Sequence, residues 1–163
     1  MENLSSDEFR LLNLLPGDVH KPLCCDLTTS NLTNPPPYEA LSYVWGDGKD
    51  TVEIEVAGQR LAITTSLEAI LFRLRQPSEP RTLWIDQLCI DQSNPAEKTS
   101  QVQKMRLIYS SCEHALIWLG EFAHGIQRED AEGAFAVVEY IAAFDCENSN
   151  SIPSRPQCIT SDK

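Results

Sequence analysis

The run Thr82–Ile90 (TLWIDQLCI) is nearly continuous in apolar character. A strand with one wet face alternates apolar and polar residues; a run like this reads as a strand buried on both faces, in the interior of a parallel sheet covered by helices. Tyr38–Trp45 (YEALSYVW) is rich in β-formers and stops at Gly46-Asp47-Gly48, and Ala115–Leu119 (ALIWL) is closed by Gly120. Both read as further buried strands. The three are expected to be parallel neighbours.

Helical patterns separate them. Thr65 with Glu68 forms a capping box, and Leu67, Ile70, Leu71 and Leu74 follow at helical spacing, predicting a helix over 66–75. Asn94 is an N-cap candidate, Pro95 takes the first helical position and Glu97 the third. Val102, Met105, Tyr109 and Cys112 then mark one apolar stripe, predicting a helix over 95–112. Between the first strand and the first helix, Val52, Ile54 and Val56 alternate with polar residues, Ala57-Gly58-Gln59 turns the chain, and Leu61 and Ile63 alternate on the return. That is a β-hairpin over 51–63, inserted after the first strand.

Phe9–Leu15 and Pro22–Leu27 read as two short N-terminal strands at a sheet edge, and Pro35-Pro36-Pro37 as a stiff connector. A last helix is expected over about 128–144. The stretch 145–163 has almost no core-forming residues and reads as a disordered tail or linker, as in a fragment or short form of a longer chain. The expectation is thus an α/β domain over 1–144, three layers around a central, mostly parallel sheet.

Charge narrows the partners. The 163 residues carry 13 Lys and Arg against 24 Asp and Glu, a net −11. An acidic chain is a poor phosphate-backbone binder, so no nucleic acid is expected. No apolar run approaches the ~18 residues of a membrane span. The N-terminus MENLSSDEFR lacks the apolar core of a secretory signal. Six cysteines and three histidines form no CxxC pair and no metal-ligand spacing. They read as reduced thiols of a cytoplasmic protein, with no metal.

Strand ends draw attention next, because ligands of open α/β sheets bind beyond the C-terminal ends of parallel strands. Gly46-Asp47-Gly48-Lys49 lacks the spacer of a phosphate loop and precedes β-alternation. Gly46 would still let a ligand approach the backbone closely. Trp45, Gly46, Asp47, Asp91, Gln92 and Glu97 gather at one sheet edge on this reading and are the candidate binding residues. Each has a plainer account: loop ordering for Asp47, Asp91 and Gln92, helix capping for Glu97, core packing for Trp45. Asp86, inside the apolar run, reads first as a buried carboxylate held by backbone amides or an Arg, because an unpaired buried charge is too costly. No nucleophile elbow is present.

In that order, PPPYEALSYVWGD, ITTSLEAILFRLR, RTLWIDQLCIDQSNPAEKTSQVQKMRLIYSSC and HALIWLGE resemble the HET (heterokaryon incompatibility) domain of filamentous fungi. LLNLLPGDVHKPLCCDL resembles that family's lead-in, so the resemblance covers about residues 9–121. The commonest family pattern has Asn at Asp91 and Arg at Lys98; Lys cannot reproduce a bidentate Arg contact.

The resemblance implies a TIR-like (Toll/interleukin-1 receptor) strand order and a role in self/non-self recognition and programmed cell death. It implies a signalling module acting by self-assembly or on protein partners, with no cofactor. Some TIR domains cleave NAD with a glutamate, which makes NAD an alternative substrate and Glu121, Glu129 and Glu132 the candidate catalytic acids. That second step is analogy of fold, and fold does not fix function. An inactive, truncated member of the family is the third reading.

Overall fold

The computed structural model describes residues 3–18, 20–120 and 157–158. The chain divides into two units, Met1–Trp118 with Arg155–Lys163, and Leu119–Ser154. The elements below belong to the first. The helix expected over 128–144, Glu121, Glu129, Glu132 and all of the expected tail but Gln157–Cys158 lie outside the described residues.

β1 (Glu8–Leu14) pairs antiparallel with β2 (Cys24–Asn31), Glu8 opposite Asn31 and Leu14 opposite Cys25. β3 (Glu39–Ser42), β4 (Thr51–Val56), β5 (Gln59–Thr64), β6 (Arg81–Trp84), β7 (His114–Ile117) and β8 (Gln157–Cys158) complete the sheet. Its order is β5-β4-β2-β1-β6-β3-β7-β8. β3 lies between β6 and β7 and is parallel to both, so the expected parallel block forms. β4 and β5 form the expected antiparallel hairpin. With β1 antiparallel to both β2 and β6, the sheet as a whole is mixed.

The N-terminal strands are not at the edge. β1 and β2 stand inside the sheet, and the hairpin takes that edge. The physical reason lies in the side chains. Successive residues of a strand point to opposite faces, and Phe9, Arg10, Leu11 and Leu12 are all buried, so both faces of β1 are covered. The hairpin, by contrast, keeps Glu53 and Glu55 in water on one face and buries Ile54 and Val56 on the other. A strand with one wet face suits an edge; a doubly buried one does not.

The run Thr82–Ile90 also divides. β6 stops at Trp84, Ile85 is extended, and Asp86–Cys89 make one helical turn, α2. Leu88, Cys89 and Ile90 remain fully buried. A short run that is apolar throughout cannot tell a buried strand from a buried turn of helix. Asp86 therefore opens α2 and is not inside a strand.

α1 (Thr65–Leu74) buries Leu67, Ile70, Leu71 and Leu74, the residues its spacing selects. Its N-cap is Thr64, whose hydroxyl accepts from the Leu67 amide, one residue before the expected cap. Thr65 instead donates to Asp50 Oδ2 at 2.8 Å. α3 (Pro95–Ser111) starts as expected, Asn94 Oδ1 accepting from the amides of Ala96 and Glu97. Its stripe is turned from the expected one: Gln101 and Ile108 are buried, Met105 and Tyr109 partly so, and Val102 is 50% exposed. Gln101 can sit inside because its Nε2 donates to the Glu8 carbonyl at 2.9 Å; a buried amide needs such a partner.

Candidate functional site

Beyond the C-terminal ends of β3 and β6 the chain places two polar clusters, and α2 joins them. The first grows from the segment after β3. Tyr43 and Trp45 are half-buried there, with exposed Val44 between them. The Trp45 indole Nε1 donates to both carboxylate oxygens of Asp86, at 3.1 Å each. The Gln87 amide donates to Asp86 Oδ1 at 2.7 Å. Gln87 Oε1 accepts from the Tyr43 hydroxyl at 2.7 Å and from Thr64 Oγ1 at 3.3 Å. Gln92 Nε2 reaches back to the Asp86 carbonyl at 2.7 Å, and its buried Oε1 has no partner among the described residues.

The second cluster is an ion pair. Arg10 Nη1 and Nη2 meet Glu97 Oε1 and Oε2 at 2.5 and 3.1 Å. Both side chains are buried. Glu97 Oε1 also accepts from the Asp91 amide at 2.8 Å, and Arg10 Nη1 donates to the Cys89 carbonyl at 3.1 Å. One guanidinium thereby ties β1 to the end of α2 and to the first turn of α3. Bidentate geometry of this kind is Arg-specific.

The two clusters titrate in opposite senses. Burial pushes the Asp86 carboxyl above the usual range, against the Trp45 indole, the Gln87 amide and the positive charge of Lys98. The Arg10 guanidinium holds Glu97 below it. Asp91 is also lowered, chiefly because its Oδ1 accepts from the Ser93 hydroxyl at 2.6 Å and from the Ser93 amide at 3.0 Å. The ionised form is thus favoured at Glu97 and disfavoured at Asp86.

Of the residues expected at the site, Trp45 and Gln92 converge on Asp86, and Glu97 meets Arg10 and the Asp91 amide, while the Asp91 carboxylate turns to Ser93. Trp45 is not packed in a strand core; it stands past the end of β3. Gly46 and Asp47 join neither cluster through a direct bond. Asp47 Oδ1 accepts from the Lys49 amide at 2.9 Å and its carbonyl from the Asp50 amide at 3.1 Å, closing their own turn. Gly46 has φ +78°, and a Cβ there would meet only Ser66 Cβ, at 3.5 Å. Backbone conformation rather than crowding requires the glycine.

Arg10, Tyr43, Thr64 and Gln87 are the participants that sequence reasoning missed. Arg10 left a trace, a lone cation within FRLLNLL. Such a cation demands a partner, but nothing local says that the partner is Glu97. Cys24, Cys25, Cys89 and Cys112 are free thiols. Among the described residues no group of three His, Cys, Asp or Glu is placed to hold a metal ion, and no helix is long and apolar enough to cross a membrane.

Comparison with known proteins adds a family. Residues 38–154 match the family model described as heterokaryon incompatibility protein (HET). Over 129 residues the chain is 43% identical to heterokaryon incompatibility protein 6, OR allele, of Neurospora crassa. The aligned part is 71% of this chain and 19% of that protein, so the chain spans about a fifth of the relative's length. No solved structure matches.

Proposed function

The chain belongs to the heterokaryon incompatibility (HET) family, and from that premise we propose that it serves fungal heterokaryon incompatibility as a self/non-self signalling module that acts by assembly. The observation that carries the reading is how the strand-end carboxylates are engaged. Asp86 is held by Trp45, Glu97 by Arg10, Asp91 by Ser93 and Asp47 by its own turn. Side chains used in this way fix the shape of a surface, which is what recognition needs. The test expresses the chain in a fungal host and follows cell death beside the sedimentation of the protein in lysates. Death is expected to accompany the assembled form. Death caused by a protein that sediments as a monomer overturns assembly, and a chain that neither assembles nor kills fits the inactive alternative.

A second reading, NAD cleavage in the TIR manner, draws on Asp86. Its pKa is raised, and it stands beyond the ends of parallel strands, where α/β domains hold ligands. Glu121, Glu129 and Glu132 remain the other candidates for the catalytic acid. Incubating the purified, concentrated chain with NAD separates the readings: release of nicotinamide that Asp86→Asn or substitution of one of these glutamates abolishes supports cleavage. No release from the assembled protein removes it.

A further inference from the structure

β5 closes the sheet on one side, and no described strand pairs with its outer edge. Which backbone groups that edge carries follows from the turn before it. Ala57 and Gly58, at φ +50° and +73°, form the two-residue turn of a tight hairpin. Val56 and Gln59 beside it are therefore a hydrogen-bonded pair, and every second pair repeats the pattern: Ile54 with Leu61, then Val52 with Ile63. The Thr65 amide, donating to the Asp50 carbonyl at 3.1 Å, continues the series. Gln59, Leu61 and Ile63 thus direct their backbone groups to β4. Arg60 and Ala62 turn theirs outward, where no described backbone group meets them. Such an edge is a template for a further strand unless proline or a bulge blunts it. β5 (QRLAIT) has no proline, and its six pairs with β4 run without a bulge. Its one charge, Arg60, is bonded to Glu53 at 3.2 Å.

The side chains of this edge are complementary to themselves. Set two β5 strands antiparallel about a two-fold axis at Leu61, and Arg60 stands opposite the partner's Ala62, and Ala62 opposite the partner's Arg60. Both residues bond outward, so each pair exchanges two N–H···O bonds, four in all. On the buried face the row from Ile54 to Leu61 continues into the partner's Leu61 and Ile54. Leu61 is only partly buried within one chain, and the second copy would cover it. On the wet face the row runs Glu55, Arg60, the partner's Ala62, the partner's Glu53. Each cation then lies between two acids, and the small alanine leaves it room. A slip of two residues one way sets Arg60 against Arg60, which like charges oppose. A slip the other way draws in Thr64, the cap of α1.

Resting on the assembly reading, we propose that two copies of this chain join through the open edge of β5, antiparallel and with Leu61 on the two-fold axis, into one continuous sheet. The same patch serves both copies, so the contact is isologous and closes as a dimer. Backbone bonds hold it, as in strand addition generally. Arg60 and Leu61 fix which register forms.

The test is sedimentation of the purified full chain across concentration, where a monomer–dimer equilibrium is expected. Ala62→Pro removes an outward amide from each copy and leaves the bonds to β4 in place. Two of the four bonds are lost, so dimerisation should weaken by about tenfold or more. Arg60→Glu, at an exposed site, sets an acid between Glu55 and the partner's Glu53 and should weaken it as well. Unchanged circular dichroism shows which variants keep the fold. Leu61→Cys reads the register directly. Opposed residues of a pair without hydrogen bonds lie about 4.5 Å apart at Cα, within disulfide reach. Oxidation should link Leu61→Cys into dimers beyond what the unsubstituted chain gives, and Gln59→Cys, on the same face but away from the axis, should not link. Association that either folded variant leaves unweakened, or linking through Gln59→Cys as strong as through Leu61→Cys, overturns the β5 contact while leaving assembly standing. A monomer at every concentration overturns the contact and the assembly reading together.

Discussion

Arg10 and Glu97, 87 positions apart in sequence, meet in a two-bond ion pair with 4% and 7% of their side chains exposed. Breaking such a pair from one side leaves a buried charge without its partner, which costs about 3–5 kcal/mol, whereas replacing both partners by apolar groups of similar size is often neutral. Glu97→Ala should therefore lower unfolding stability by about that amount. Arg10→Met with Glu97→Leu should recover much of the loss. Urea unfolding of the two variants beside the unsubstituted chain measures it; a Glu97→Ala loss below about 1 kcal/mol would place the pair among weak surface bridges.

The same pair makes the fold acid-sensitive in one direction. Glu97 in the folded chain has a pKa below its ordinary value of 4.5. The unfolded chain then binds the proton more readily, so the pair's contribution is complete above about 4.5 and is lost as pH falls through the lowered folded value. Glu97→Gln removes that dependence. Its stability, measured from neutral to strongly acid pH, should be lower at neutrality and should fall less steeply in acid.

Helix α3 gives a sharp contrast within one element. Ile108 is fully buried and its carbonyl accepts from the Tyr38 hydroxyl, whereas Val102 is half exposed. Ile108→Ala should cost about 2–5 kcal/mol, and Val102→Ala about 0.5 kcal/mol or less. Equal losses at the two positions would mean that the helix buries a different face.

What local chemistry encodes was legible, and what depends on distant partners was not. Asn94-Pro95 announces the start of α3 because a cap and its amides are neighbours in sequence. The parallel block could be read because its strands are apolar runs between helices. The rotation of α3 could not, since it turns on Gln101, whose burial depends on the Glu8 carbonyl of β1. Nor could the interior place of β1, which depends on pairing along its second edge with the distant β6. At the site, Trp45, Asp91, Gln92 and Glu97 were found as strand-end and cap residues. The groups that organise them, Arg10 and Asp86, sit inside apolar runs, where the pattern says only that each needs a partner and not which one.

Asp86 titrates in the opposite sense to Glu97. Burial raises its pKa above the ordinary 3.8, although Trp45 and the Gln87 amide oppose the shift. A carboxyl raised in the folded state contributes stability that is full below the unfolded value and is lost as pH rises through the folded one. Asp86→Asn keeps an oxygen for the Trp45 indole and removes the buried charge. The variant should be at least as stable as the unsubstituted chain near neutral pH and lose that advantage in acid. Trp45 emission should titrate with Asp86 in the unsubstituted chain and stay flat in the variant.

Gly46 separates conformational cost from function. Its φ of +78° lies in the left-handed region, which costs a residue with a Cβ about 1–2 kcal/mol. The nearest foreign atom to such a Cβ, Ser66 Cβ at 3.5 Å, is at ordinary contact distance, so side-chain size should add little. Gly46→Ala and Gly46→Glu should therefore lower the melting temperature by similar amounts, a few degrees each, and Gly46→Asn by less, because Asn tolerates this region. If the exposed loop after Trp45 meets a partner or a ligand, the longer, charged side chain alone should abolish death activity in the fungal host, while Gly46→Ala retains it. Loss of activity in both would trace to the backbone of the turn, and a Gly46→Glu chain that fails to fold would make the position architectural.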